Sequence, residues 1–351
     1  MIHVINIDEF LVLRTTIPVV DVRSPGEYDA GHIPGAVNIP LFDNDERARV
    51  GTLYKKSGKE AAVFLGLDIV GKKLKELAGK GNALAKDKKL LVHCWRGGMR
   101  SENMAMLFST LGINCFVLKG GYKSYRKFIR QEFTKPLKVI ILSGATGSGK
   151  SELLNHLQNN GEQVIDLESL SNHKGSAFGS LGQKPQPTNE QFENNLFDIF
   201  KNINPDKRVW IEDESHNIGK IYIPEPFYQH MRNAFCLKIN LNKEIRIKRL
   251  LKEYGNFAPE ILIDSVKKIY RRLGGQHAEE AMRCIKEGNL SRAIDLILVY
   301  YDKTYLFGFN KRDKSKVCEL ELKDDNHAEN AKIIINHINN LKDGRIQINT
   351  I

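Results

Sequence analysis

The stretch 138-KVIILSGATGSGKS-151 runs from an apolar segment through a glycine-rich loop into a helix start. Its last eight residues fit G-x-x-x-x-G-K-[ST] in full, in the strand–loop–helix setting that the pattern requires. Glycines let backbone N–H groups turn inward around an anion, and the helix N-terminus adds partial positive charge. Gly144, Gly147, Ser148, Gly149, Lys150 and Ser151 are therefore candidates for a phosphate or diphosphate site, with Lys150 reaching the terminal phosphate. The pattern points to a phosphorylated ligand; it does not imply that a nucleotide is hydrolysed. Such loops commonly share a Mg²⁺ between the Ser/Thr hydroxyl and a carboxylate at a neighbouring strand end. Here the Ser151 partner would be Asp213, where 208-RVWI-211 runs into 212-EDES-215, with Glu212 and Asp166 as alternatives. Arg246, Arg249, Arg271 and Arg272 are cations within sequence reach of a phosphate, or ordinary exposed helix-face residues.

Outward from this loop, the pattern alternates strands with helices on both sides. Upstream, strands are expected at 17–22, 36–41, 89–94 and 113–118, and helices at 69–81 and 101–112, the latter ending on a glycine suited to a C-cap. Downstream, strands are expected at 138–144, 162–168, 207–213 and 235–241. Helices follow at 149–160, 188–203, 243–255, 278–288 and 327–342. Strands alternating with helices imply mainly parallel sheets covered on both faces. The pattern resets around 132-EFTKPLK-138, which divides the chain into domains at 1–132 and 138–351, the second with a helical C-terminal portion.

A chain of 351 residues with 41% hydrophobic and 27% charged content is long enough for two buried cores. The start, 1-MIHVINIDEF-10, lacks a basic region followed by an apolar one, and no apolar run approaches bilayer length, so a cytoplasmic protein without membrane contact is expected. The formal net charge is +11. The first 132 residues carry 21 Lys and Arg against 14 Asp and Glu, and the remainder 32 against 28. A basic surface spread over both domains suits a polyanion such as RNA, and equally a mildly basic soluble protein.

Five cysteines, an odd number with no C-x-x-C pair, argue against a disulfide framework or a structural zinc site. One of them stands apart. In 89-KLLVHCWRGGMRS-101, Cys94 lies where a strand ends and a helix begins, the setting in which backbone N–H groups and a helix dipole lower a thiol pKa. Arg96 and Arg100 add positive charge, and Gly97 and Gly98 allow a tight loop. Cys94 is thus the candidate catalytic nucleophile. Cys115, Cys236 and Cys284 fall within regular strand or helix patterns instead.

The run 19-VVDVRSPGEYDAGHIPGAVNIP-40, the loop after 89-KLLVHC-94 and the glycine pair in 117-VLKGGYKSY-125 resemble the rhodanese domain over about residues 1–130. That resemblance implies a cysteine that carries sulfur to an acceptor. The spacing departs from it: Cys94 to Arg100 is C-x5-R, one residue longer than is usual in rhodaneses and similar to rhodanese-fold phosphatases. A wider ring of amides suits a larger anion, phosphate or selenophosphate. A rhodanese-like parallel-sheet domain followed by a P-loop NTPase-like α/β domain, with 94-CWRGGMRS-101, 144-GATGSGKS-151 and 272-RLGGQ-276, resembles the tRNA 2-selenouridine synthase family. The resemblance implies conversion of wobble 2-thiouridine in tRNA to 2-selenouridine, with selenophosphate and geranyl diphosphate as co-substrates and no tightly bound cofactor. The partners it implies are the anticodon region of tRNA and a selenophosphate supplier. On this reading 119-KGGYKSYRKFIR-130 meets RNA phosphates, and Trp95, Tyr122 and Tyr125 either stack on an unpaired base or fill the core. Two other classes fit the motifs: a P-loop small-molecule kinase with a rhodanese-like regulatory module, and a non-catalytic tRNA-binding module.

Overall fold

The structure, a computed structural model, describes residues 1–341. Lys342, the last residue of the helix expected over 327–342, lies outside the described residues, as does the rest of the second domain to 351. Contacts group the chain into two compact units: Met1–Phe133 with Glu193–Asp198, and Thr134–Phe192 with the described residues from Ile199 onward. Both are α/β units built on parallel sheets.

The first unit contains β1 (Ile2–Ile5), α1 (Ile7–Leu13), β2 (Val19–Asp21), α2 (Pro25–Ala30), β3 (Val37–Asn38), α3 (Asn44–Gly71), α4 (Leu74–Leu84), β4 (Lys89–His93), α5 (Met99–Ser109), β5 (Asn114–Leu118) and α6 (Gly121–Glu132). Its strands run parallel in the order β1-β5-β4-β2-β3. Central parallel strands are covered on both faces and so lack alternation; Leu90, Leu91, Val92 and His93 are all buried. The pairing of Asp21 with His93 brings the ends of β2 and β4 together immediately before Cys94.

The first unit departs from expectation in three places. β1 is a short edge strand, exposed at three of four positions, and offers little apolar signal. The helix expected at 69–81 is the tail of α3 joined to the start of α4. α3 itself spans 28 residues, capped by Asp43 and Glu46 acting reciprocally and interrupted at Gly58, where φ is +85°. That glycine, with Lys-rich flanks, hides the helix from a periodicity argument. The third departure is α6, whose sequence looked like basic surface; Tyr122, Tyr125 and Ile129 on its inner side are fully buried.

The second unit contains β6 (Lys138–Gly144), α7 (Lys150–Asn159), β7 (Gln163–Ile165), α8 (Leu167–Ser171), α9 (Asn189–Phe200, of which Glu193–Asp198 groups with the first unit), β8 (Arg208–Glu212), a hairpin of β9 (Asn217–Ile218) and β10 (Ile221–Tyr222), α10 (Glu225–Asn233), β11 (Phe235–Leu241), α11 (Lys243–Tyr254), α12 (Pro259–Lys268), α13 (Tyr270–Leu273), α14 (Gly275–Lys286), α15 (Leu290–Phe309), β12 (Val317–Leu322) and α16 (His327–Asn340). The main sheet is parallel, ordered β12-β11-β6-β8-β7. β6 is central, so the glycine-rich loop leaves the middle of the sheet at its C-terminal edge, where ligands of open α/β sheets gather. Helices α12, α14 and α15 bury Leu262, Val266, Ala281 and Leu296 among themselves, which is the helical C-terminal portion. That portion also returns a strand: β12 adds to the sheet edge beside β11, its 317-VCELEL-322 carrying an apolar–polar alternation. Among the described residues no helix is long and apolar enough to cross a membrane.

Candidate active site

Cys94 follows the buried end of β4 and is 3% exposed. Its Sγ accepts hydrogen bonds from the Ser101 hydroxyl at 3.3 Å and the Gly98 backbone N–H at 3.4 Å. Burial alone would push the thiol up. The Ser101 hydroxyl and the N–H groups of Gly98, Arg96 and Ser101 outweigh it and hold the thiol below its ordinary value of 9.0. At Cys115 and Cys236 burial wins instead: it pushes Cys115 up to about 11, and Cys236 to about 12 despite a hydrogen bond from Ser143.

Two glycine loops build this cradle by backbone contact. Gly97 has φ +64° and Gly121 φ +59°. A Cβ on Gly97 would lie 2.5 Å from the Leu118 carbonyl oxygen, and one on Gly121 2.4 Å from that of Cys94. The N–H groups of Tyr122 and Lys123 donate to the carbonyls of Cys94 and Trp95 at 2.8 and 2.9 Å. The 120–121 glycine pair is therefore the floor of the cysteine loop.

The two arginines of the loop differ. Arg96 is exposed and has no ion pair among the described residues. Arg100 donates to Glu27 at 2.7 Å, and burial of Glu27 is outweighed by Arg100, which keeps that carboxyl below its usual range. Glu27 also accepts from the Ser24 backbone N–H at the start of α2, so α2 fixes the direction of Arg100. Below the loop, Arg23 and Asp21 form a fully buried ion pair at 2.6 Å, with the guanidinium stacked 3.9 Å from the Tyr122 ring. Tyr122 and Tyr125 are core residues, wholly inaccessible to a base; Trp95 is half-buried.

In the second unit, Gly147 and Gly149 adopt φ of +80° and +81°, which a side chain would strain. Gly144 is closely packed: a Cβ there would lie 2.6 Å from Ser148 Oγ and 2.8 Å from Ile239 Cγ1, so a neighbour would have to shift. Lys150 donates to the Gly144 carbonyl at 3.2 Å, across the loop. The loop opens on a cavity of about 980 Å³ that also receives Glu168, Glu214, Arg249, Arg272 and the rings of Tyr254 and Tyr301. Of the four candidate arginines, Arg249 approaches the Ser148 carbonyl and pairs with Glu152 and Asp325. Arg272 lines the cavity. Arg246 is held by Asp302 at 2.6 Å while donating to the Thr146 carbonyl. Arg271 is exposed and does not line it.

The carboxylates are arranged differently from the expected Ser151–Asp213 pair. The Ser151 hydroxyl donates to Glu168 at 2.8 Å. Asp213 accepts from Ser143 at 2.6 Å and from Arg312 at 2.5 Å. Asp166 caps α8 through the Ser169 N–H. Glu212, 1% exposed, accepts from the Glu168 N–H at 2.7 Å. Lost hydration, then the charges of Asp166 and Glu168, raise Glu212 well above the ordinary carboxylate range; lost hydration and Glu168 do the same to Glu214. Among the described residues no group of three or more His, Cys, Asp or Glu side chains is disposed to hold a metal ion. The side chains that sequence reasoning passed over are Glu168, Glu214, Ser101 and Glu27. Ser101 lay inside the cysteine motif; the others meet their partners only through the fold.

Comparison with known proteins then places the chain. The family described as "tRNA 2-selenouridine synthase AAA domain" matches residues 137–329, and "Rhodanese-like domain" matches residues 7–128. A tRNA 2-selenouridine synthase of Nitrosomonas europaea is 36% identical over 260 residues, covering 71% of this chain and 67% of its own. One from Shewanella sediminis is 34% identical over 332 residues, covering 84% and 88%. A solved rhodanese-like domain protein from Staphylococcus aureus is 21% identical over 35% of this chain and 90% of its own, with a TM-score of 0.22. The N-terminal unit is rhodanese-like, the second is P-loop-like, and the chain belongs to the tRNA 2-selenouridine synthase family.

Proposed function

We propose that this protein converts 2-thiouridine at the wobble position of tRNA to 2-selenouridine, by way of an S-geranylated base. Kinship with relatives named tRNA 2-selenouridine synthase carries the reading. In the first step, sulfur attacks C1 of geranyl diphosphate, and the C1–O bond breaks with its electron pair leaving on diphosphate. Gly147, Gly149, Lys150 and Ser151 receive that leaving group, where preorganised N–H donors and a cation count most because the charge develops there. This use of the loop needs no nucleotide. No step runs through Mg²⁺, because the carboxylate expected beside Ser151 is engaged by Ser143 and Arg312.

The selenium step is assigned to Cys94 with selenophosphate in its amide loop. Attack of the thiolate on selenium would expel phosphite, with phosphorus reduced as the cysteine sulfur is oxidised. Attack on phosphorus changes no oxidation state. An S–P bond forms, the Se–P bond breaks, and hydrogen selenide leaves with the pair. The selenide attacks C2 of the base, geranylthiolate departs, and water hydrolyses the phosphocysteine. The longer C-x5-R loop suits this role. The test is nucleoside mass analysis of 2-thiouridine RNA incubated with wild-type protein and selenophosphate, with and without geranyl diphosphate. 2-Selenouridine should form only when both are present; equal formation without geranyl diphosphate would contradict the S-geranyl route.

A further inference from the structure

The rhodanese-like unit contains a cavity of about 1130 Å³ that is separate in its lining from the phosphate-loop cavity and has Cys94 in its wall. Its walls are one face of α3, one face of α5 and the β3–α3 connection. Val63, Leu67 and Val70 recur along α3, and Met99, Met106 and Leu107 along α5. Leu67 is 61% exposed and Met106 60% exposed, so the fold leaves these large apolar side chains without a covering element. A sulfane-transfer or phosphate site of a few atoms needs no such wall. Volumes of about 300–1,000 Å³, mostly apolar with few placed polar groups, are typical of sites that enclose organic ligands. Besides Thr52, Tyr54, Asn103 and Thr110, the polar groups here sit in two places. One is the amide loop of Cys94. The other is the cavity's lining of cations, Arg47, Lys55, Lys59 and Arg96, all exposed or nearly so.

An apolar trough joined to an anion cradle and edged with cations complements one kind of molecule: a short hydrocarbon attached to a polyanion at the atom where chemistry occurs. We infer that this cavity seats the hydrocarbon of an S-alkylated base in RNA, with its C2–S bond at the Cys94 loop and flanking phosphates on the rim cations. The inference rests on the S-geranyl route proposed above and assigns a hydrocarbon site to the rhodanese-like unit, lined by none of the residues given to the diphosphate. The donor is the less suitable occupant, because its diphosphate has its own loop in the other unit. Taking a ten-carbon chain out of water favours the alkylated base over its unmodified form.

The experiment uses the full-length protein and two anticodon stem-loop RNAs, one with 2-thiouridine and one with S-geranyl-2-thiouridine. Variants Val63→Trp, which fills the trough, and Leu67→Glu, which charges an exposed position that folding tolerates, are compared with wild type. Wild type should bind the geranylated RNA at least tenfold more tightly than the thiouridine RNA, and both variants should lose that preference. Geranylation of the thiouridine RNA should stay within twofold of wild type in both. Loss of geranylation in parallel would make the trough a donor site and overturn the inference, as would an unchanged binding preference. Preferential binding without selenium incorporation by wild type would sink the S-geranyl route while leaving the hydrocarbon site standing.

Discussion

At the scale of single residues, the decisive contrast is between Cys94 and the other cysteines. Its thiol is lowered by the Ser101 hydroxyl and three N–H groups against the opposing effect of burial. Alkylation rate follows the thiolate fraction, rising with pH until the thiol has titrated and then levelling. Cys94 should therefore reach its plateau at lower pH than a free thiol, while Cys115 and Cys236 stay inert. In Ser101→Ala, the strongest of the contacts that lower the thiol is gone and the plateau should move to higher pH. Mass-resolved iodoacetamide labelling of each cysteine across pH 5–10 reads this directly, and an unshifted Cys94 profile would refute the role given to Ser101. Cys94 was legible in the sequence because strand, glycines and arginines flank it. The direction of Arg100 was not, since its partner Glu27 is 73 residues away and meets it only when α2 packs beside the loop. The hydrogen bonds around Ser151 were not legible for the same reason: Arg312, from beyond α15, donates to Asp213, and Ser151 donates to Glu168.

At the scale of elements, two loops are built by close backbone approach, and glycine makes both possible. Gly121→Ala adds a Cβ at 2.4 Å from the Cys94 carbonyl in a left-handed conformation, so the cysteine loop must shift. Misplacement of a reacting group by about 1 Å costs on the order of 10²-fold in rate. Selenium incorporation from pre-geranylated RNA should fall by about that factor in steady-state assays, with geranylation unaffected; an unimpaired Gly121→Ala enzyme would remove the backbone-contact account. The strands flanking both loops were legible because β4 and β6 are covered on both faces and consist of continuous apolar runs. The 28-residue α3 was not, since its interruption at Gly58 and its half-open apolar face break the expected stripe. The same open face is what forms the trough beside Cys94.

At the scale of the whole molecule, two α/β units with parallel sheets each present one anion cradle at the C-terminal ends of their strands. Sequence motifs placed both cradles; they did not foretell β12 at the sheet edge, or the carboxylate set around Ser151, which depends on which strands become neighbours. The central claim is that the two cradles perform separate, successive steps. It is tested most directly by a crossover of two variants on two RNAs, with products resolved by nucleoside mass analysis. Cys94→Ser should geranylate 2-thiouridine RNA normally and fail to install selenium from selenophosphate. Lys150→Ala should lose geranylation by about 10²–10³-fold, as expected when a charge-stabilising group is removed, yet still convert pre-geranylated RNA to 2-selenouridine RNA. If Lys150→Ala abolished both reactions, or Cys94→Ser impaired neither, the division of labour described here would be contradicted.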